Sequence, residues 1–240
     1  MNYKFDKLIH GLEQLNISYT AVEIEDKFSV YYEMLVEKNK VMNLTSITEF
    51  DEVMVKHFLD SAAVAAYIDL DQPYKLLDLG TGAGFPGIPL KILFPKLEIV
   101  LMDSLNKRIR FLDEVITKLQ LQDIIAVHGR AEELARKEEY REQFDLCVSR
   151  AVANLSSLSE YCLPFVKVGG KFIAYKSKEV EEEAASAKNA VHLLGGKLEA
   201  VHQFELPGTD FERAFVVVDK IQETPKKYPR KAGTPGKLPL

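Results

Sequence analysis

One stretch limits the fold more than any other. Leu76-Leu77-Asp78-Leu79-Gly80-Thr81-Gly82-Ala83-Gly84-Phe85-Pro86-Gly87 runs an apolar segment into closely spaced glycines. A strand, a glycine-rich turn and a helix in that order form a βα unit whose turn can approach a ligand, because glycine adopts positive φ and presents no Cβ. Pro86 suits the first turn of that helix, where a missing N–H costs nothing. The chain beyond residue 75 supplies the sheet such a unit needs. Short β-rich apolar runs at 75–79, 98–102, 124–127, 144–148 and 170–175 alternate with helical patterns near 87–94, 106–120, 131–137, 155–165 and 179–194. This alternation predicts an α/β fold with a mostly parallel sheet and helices on both faces. Two further runs, 197–205 and 213–219, are separated by a Pro-Gly turn sequence too short for a helix. They are expected to form an antiparallel hairpin at the sheet's edge, giving seven strands in all.

Before residue 70 the pattern is helical. Phe5, Leu8, Ile9, Leu12 and Leu15 recur at helical spacing, as do Phe28, Tyr31, Tyr32, Leu35 and Val36, and then Val53, Phe58, Ala62, Ala65 and Ala66. Asn43-Leu44-Thr45-Ser46 interrupts it, and Ser46 or Thr48 is placed to cap the next helix. Three regions follow: a helical extension over 1–70, a Rossmann-like core over 71–221, and a Pro/Gly-rich tail over 222–240. The acidic run 179–183 reads as a solvated helix face.

Composition removes several function classes. Two cysteines, Cys147 and Cys162, exclude a disulfide framework or a Cys-rich zinc site and read as core residues. The five histidines (10, 57, 128, 192 and 202) lack metal-ligand spacing, so no metal is expected. No window is apolar enough to span a membrane and the N-terminus is not a secretory signal, which points to the cytoplasm. Net charge is −5 overall. Residues 220–240 hold six Lys or Arg against Glu223 alone, a local +5, so residues 1–219 carry −10. An acidic body with a basic tail points to an anionic partner or to a solvated terminus.

The glycine loop admits more than one ligand class. Gly82-Ala83-Gly84-Phe85-Pro86-Gly87 satisfies the dinucleotide pattern G-x-G-x-x-G, but it starts two residues late relative to the strand. The whole string reads better as Asp-x-Gly-x-Gly-x-Gly. Asp103 closes the second apolar run, where a carboxylate suits a ribose diol because both oxygens accept hydrogen bonds. Dinucleotide enzymes place an acid similarly, so Asp103 alone does not separate the classes. A tight turn without a ligand is the bland alternative. Ser149-Arg150-Ala151 ends the fourth run. Arg150 suits phosphate or a carboxylate, or a surface ion pair. His57 precedes the core where it could face the site.

The Asp-x-Gly-x-Gly-x-Gly string resembles the first motif of class I S-adenosylmethionine-dependent methyltransferases. Asn43-Leu44-Thr45, KHFLDS (56–61), LLDLGTGAGFPGIPL (76–90), DSLNKRIRFL (103–112), GRAEELA (129–135), SRAVANL (149–155) and YPRKAGTPGKLPL (228–240) occur together in order. The set closely resembles the bacterial small-subunit ribosomal RNA guanine-N7 methyltransferases, the RsmG or GidB (glucose-inhibited division protein B) family. The resemblance runs from about residue 40 to the C-terminus. It implies an enzyme that transfers methyl from S-adenosyl-L-methionine to N7 of one guanosine in 16S rRNA. It also implies cofactor-binding roles for Asp78, for Gly80, Gly82, Gly84 and Phe85 at the methionine end, for Asp103 at the ribose, and for Ala131 and Glu132 at the adenosine. Arg150 falls between cofactor and substrate, and with His57 it is the candidate substrate-facing group. No catalytic side chain is identified, which fits an N7 lone pair that attacks without losing a proton. Lys107, Arg108, Arg110, Lys226, Lys227, Arg230, Lys231 and Lys237 are RNA-binding candidates. The expected partner is 16S rRNA or the small ribosomal subunit, with no DNA or membrane, and the protein is expected to be a monomer. Trimming 225–240 is then expected to weaken RNA binding and spare cofactor binding, unless the tail packs on the core. The alternative is a module that senses S-adenosylmethionine or docks on ribosomes without turnover.

Overall fold

The computed structural model describes residues 3–19, 24–150, 153–177 and 180–240. Its strands are β1 (Lys75–Leu79), β2 (Glu98–Asp103), β3 (Ile124–His128), β4 (Phe144–Arg150), β5 (Val166–Ser177), β6 (Gly196–Glu205) and β7 (Glu212–Lys220). They form one sheet in the order β3-β2-β1-β4-β5-β7-β6. The first five are parallel, and β7 runs antiparallel between β5 and β6. The sheet is the one expected from the alternation, including the antiparallel pair at its end. Strand order reverses between β1 and β4, which opens a crevice at their carboxyl ends.

Burial on both faces explains the continuous apolar runs. Leu76, Ile99, Leu101, Val148 and Ile173 face the N-terminal helices and the helices Gly87–Leu93 and Asn106–Lys118. Leu77, Val100, Met102, Cys147 and Phe172 face the helices Leu155–Cys162 and Glu181–Leu193. Cys147 and Cys162 are both free and buried there. Burial pushes the Cys162 thiol well above its ordinary range, which opposes thiolate chemistry. Among the described residues no helix is long and apolar enough to cross a membrane, and no cluster of metal-ligating side chains occurs.

The N-terminal segment departs from the sequence reading in two places. Helices Asp6–Gln14 and Ile24–Met42 fit the apolar spacing, with Phe28, Tyr31 and Leu35 fully buried. The next segment is not one regular helix. Phe50–Val53 passes into a π-helical turn at Met54–Leu59, then Asp60–Ala62 and a 3₁₀ turn at Ala63–Ala66. Neither Ser46 nor Thr48 caps it. Glu49 is the N-cap and makes no side-chain cap bond, while the Thr48 carbonyl accepts from the Tyr32 hydroxyl at 2.9 Å. The helix after the glycine loop starts at Gly87, so Pro86 is its N-cap rather than its first residue. Ala151 and Val152 of the SRAVANL motif and Glu179 of the acidic run lie outside the described residues.

The tail lies on the core instead of trailing into solvent. Tyr228 is buried in the cluster with Leu158 and Cys162. Arg141 donates to the carbonyls of Thr224 (2.6 Å) and Tyr228 (3.0 Å), and Arg136 donates to that of Pro229 (2.5 Å).

Candidate active site

A cleft of about 910 Å³ opens at the carboxyl ends of the central strands. That volume suits a nucleoside-sized ligand. The loop 80–85 forms its floor, and its glycines meet opposite needs. A Cβ on Gly82 (φ +63°) would meet nothing within 4 Å, so this backbone faces open space where a ligand can approach. A Cβ on Gly84 (φ +106°) would fall 2.5 Å from Ile88 Cδ1 and 2.8 Å from the Tyr31 hydroxyl. Gly84 therefore faces the packed interior and does not line the cleft. Tyr31, fully buried, donates to the Ala83 carbonyl at 2.6 Å, so an N-terminal helix braces the loop from below.

Asp78 also departs from its expected place at the ligand. It is completely buried beneath the loop, and its Oδ2 accepts from Thr81 Oγ1 (2.6 Å) and the Gly87 amide (2.7 Å). It ties the two ends of the turn together. Oδ1 has no partner. Burial pushes this carboxyl up to about 7, against the lowering pull of its two hydrogen bonds and of Arg150. A folded-state value raised above the unfolded one gives stability that is fully present below pH 4 and is lost as pH rises through about 7. Asp78→Asn should remove that slope. Between pH 5.5 and 8 the wild type should lose about 2 kcal/mol relative to this variant, measured by urea unfolding. Parallel pH profiles would refute the assignment.

Asp103, at the end of β2, lines the cleft with a buried carboxylate. Oδ1 accepts from the Leu105 amide (2.9 Å), and Oδ2 from the Gly82 amide and Arg108 (both 3.0 Å). These contacts fix its orientation; the two donors fill Oδ2, and Oδ1 keeps one lone pair toward the cleft. After β3, Ala131 and Glu132 also line it. Glu132 is nearly buried, and its Oε1 accepts from the Gly233 amide at 2.8 Å. Gly233 and Gly236 bring the tail into the cleft wall. The Ser157 hydroxyl donates to the Pro235 carbonyl at 2.7 Å and holds that wall in place.

The end of β4 carries a polar chain. Arg150 donates through Nη1 to Asp60 (2.9 Å) and through Nη2 to His57 Nδ1 (3.3 Å). Asp60 also accepts from Arg213 Nε at 2.8 Å. His57 Nε2 contacts Thr45 Oγ1 at 2.8 Å. His57 stacks on Phe85 with centroids 4.5 Å apart, and the Arg150 guanidinium lies 5.0 Å from the same ring. Burial, reinforced by the charge of Arg150, holds His57 down at about 3. The imidazole is therefore neutral throughout the physiological range, and its Nδ1 is already occupied.

The structure brings Gly80, Gly82, Phe85, Asp103, Ala131, Glu132, Arg150 and His57 to one cleft and keeps Asp78 and Gly84 under its floor. The RNA candidates divide. Lys107, Arg110, Lys226, Lys227, Lys231 and Lys237 are exposed. Arg108 is partly spent on Asp103. Arg230 is not free for phosphate. Its backbone amide, Nε and Nη2 all donate to Glu160, a fully buried carboxylate, at 2.6–3.0 Å. Sequence reasoning assigned no role to Thr45, Tyr31 or Gly233. Thr45 stands in the Asn43-Leu44-Thr45 motif, and Gly233 in the tail's glycine pair; Tyr31 gave only a helical-core signal.

A family model described as rRNA small subunit methyltransferase G matches residues 24–216. A Lachnoclostridium phytofermentans protein named ribosomal RNA small subunit methyltransferase G is 55% identical, over 97% of this chain and 96% of its own. A Staphylococcus aureus protein of the same name is 52% identical over 97% of each. Solved structures share the fold alone. TrmN from Thermus thermophilus has a TM-score of 0.52 at 17% identity, covering 70% of this chain and 53% of that one. A precorrin-6y C5,15-methyltransferase from Geobacter metallireducens has 0.50 at 15%, covering 67% and 87%.

Proposed function

This chain belongs to the rRNA small subunit methyltransferase G family, and from that premise we propose that it methylates N7 of a guanine in small-subunit (16S) rRNA, using S-adenosylmethionine. The cleft suits that cofactor: an open backbone at Gly82, a carboxylate at the β2 end for a ribose diol, and a volume near 910 Å³. When bound, S-adenosylmethionine supplies an electrophilic methyl on a sulfonium.

One observation favours N7. Among the described residues, the substrate side of the cleft offers no group free to accept a proton. His57 is neutral, but its acceptor nitrogen is filled by Arg150. Arg150 itself is a cation. Asp103 is committed to two amides and Arg108. Glu132 follows β3, three strands from β4, roughly 14 Å away across the sheet. A nucleophile that reacts through an in-plane lone pair needs no base, whereas an exocyclic amine must shed a proton. Catalysis then rests on positioning: the loop and Asp103 fix one partner, and the Phe85–His57–Arg150 wall receives the other. The exposed lysines and Arg110 supply phosphate affinity that weakens with salt.

The test is methyl transfer from labelled S-adenosylmethionine to 30S particles lacking the modification, with naked 16S rRNA alongside. Label should appear as 7-methylguanosine. Label in another nucleoside would overturn the base assignment. Cofactor binding without any transfer would favour the non-catalytic module.

A further inference from the structure

The hydrogen-bond chain beside the cleft ends in a proton with nowhere to go. Arg150 can only donate, so the nitrogen it meets on His57, Nδ1, must accept. The neutral ring therefore carries its hydrogen on Nε2 and donates it to Thr45 Oγ1, 2.8 Å away. The Ile47 amide donates to the same oxygen at 3.0 Å. Both lone pairs of the Thr45 hydroxyl are then taken, and the hydroxyl can act only as a donor. Among the described residues no acceptor receives it. Thr45 is half-buried and lines the cleft with His57, Phe85 and Arg150, on the side away from Glu132. Its backbone is held by the Asn39 side chain, which accepts from the Thr45 amide at 2.9 Å.

We propose that the Thr45 hydroxyl donates to O6 of the target guanine and thereby both orients N7 and selects the base. The proposal rests on the guanine-N7 reading given above. O6 and N7 lie side by side on one edge of the purine, so a donor fixed at O6 leaves the N7 lone pair free and sets its direction. Adenine presents an amino group at the same place. Two donors would then face each other, and the Thr45 oxygen has no lone pair left to accommodate the amine. His57 and Arg150 act here as positioning residues: they determine that the hydroxyl donates rather than accepts.

The experiment compares wild type, Thr45→Val and Thr45→Ser on 30S particles lacking the modification, with labelled S-adenosylmethionine. Calorimetry with S-adenosylmethionine and thermal melting are measured on each protein. Thr45→Val should lower kcat/KM for 7-methylguanosine formation by about tenfold. Thr45→Ser should restore most of it, and cofactor Kd should stay within a factor of two or so in both. A second arm uses particles reconstituted with 2-aminopurine at the target, which keeps N7 and lacks O6. The wild type should lose about the same tenfold on this substrate, and Thr45→Val should lose little more. Full activity of Thr45→Val on normal particles would overturn the proposal, as would equal losses by both proteins on 2-aminopurine. A matching loss of cofactor affinity in Thr45→Val would overturn it too, by assigning the hydroxyl to the cofactor. Absence of 7-methylguanosine from the wild type would overturn the underlying base assignment, and no variant is needed to see it.

Discussion

Replacing Asp103 with alanine should weaken S-adenosylmethionine binding by about one to two orders of magnitude. The carboxylate is the one charged acceptor at the end of β2, and hydrogen bonds to charged groups contribute about 1.5–3 kcal/mol each. One such bond to a ribose hydroxyl is open at Oδ1, since Gly82 and Arg108 fill Oδ2. The substitution also strips Arg108 of its partner and the Gly82 and Leu105 amides of their acceptor, so the loop loses its tie to β2. Arg108→Leu separates these effects: it removes the neighbouring charge but keeps the carboxylate and both amide contacts. Its cofactor Kd should rise far less, because a partly exposed guanidinium contributes little once solvent screens it. Calorimetry on the three proteins, with melting curves as a folding control, decides the matter. A Kd for Asp103→Ala within threefold of wild type would remove Asp103 from the binding site.

Asp103 was legible because strand ends are legible. A run buried on both faces is apolar throughout, so the first acid after Ile99–Met102 marks where the strand meets the cleft. The same reasoning misplaced Asp78. It lies inside its strand's burial pattern, on the side of Leu76, and period-2 alternation points it under the loop rather than into the cleft. A motif string records that an acid is present, not which way it faces. The π-helical turn at Met54–Leu59 left no readable trace, since six residues are fewer than the window over which an apolar period can be established. Yet that turn positions His57 for both Arg150 and Thr45. The polar chain Thr45–His57–Arg150–Asp60–Arg213 joins residues up to 168 positions apart, and no local pattern encodes such a contact. Glu160 did carry a usable signal. A lone acid inside the buried helix Leu155–Cys162 must find a cation, and the tail holds the densest run of them in the later sequence, at 226, 227, 230 and 231.

That pairing reverses the expectation for the tail. Ending the chain at Thr224 should destabilise the protein by about 3–5 kcal/mol, because Glu160 would be left as an uncompensated buried charge. It should also weaken S-adenosylmethionine binding, since Gly233 and Gly236 line the cleft and the Gly233 amide holds Glu132. Sparing of cofactor binding, which a free RNA-binding tail would predict, is not what this geometry gives. The full-length variant Glu160→Gln isolates the charge. Glutamine keeps an acceptor for the Arg230 amide and guanidinium but removes the ion pair, so it should lose stability with less effect on the cleft wall. Replacing Lys226, Lys227, Lys231 and Lys237 together by glutamine tests the remaining role, because these side chains are exposed. That protein should melt and bind cofactor as the wild type does, yet show weaker and less salt-sensitive RNA binding. Wild-type stability and cofactor affinity in the truncated chain would mean that the tail's contacts hold nothing in place. Unchanged RNA affinity in the quadruple lysine variant, measured at two salt concentrations, would confine the tail to its structural part and move the phosphate contacts to Lys107 and Arg110.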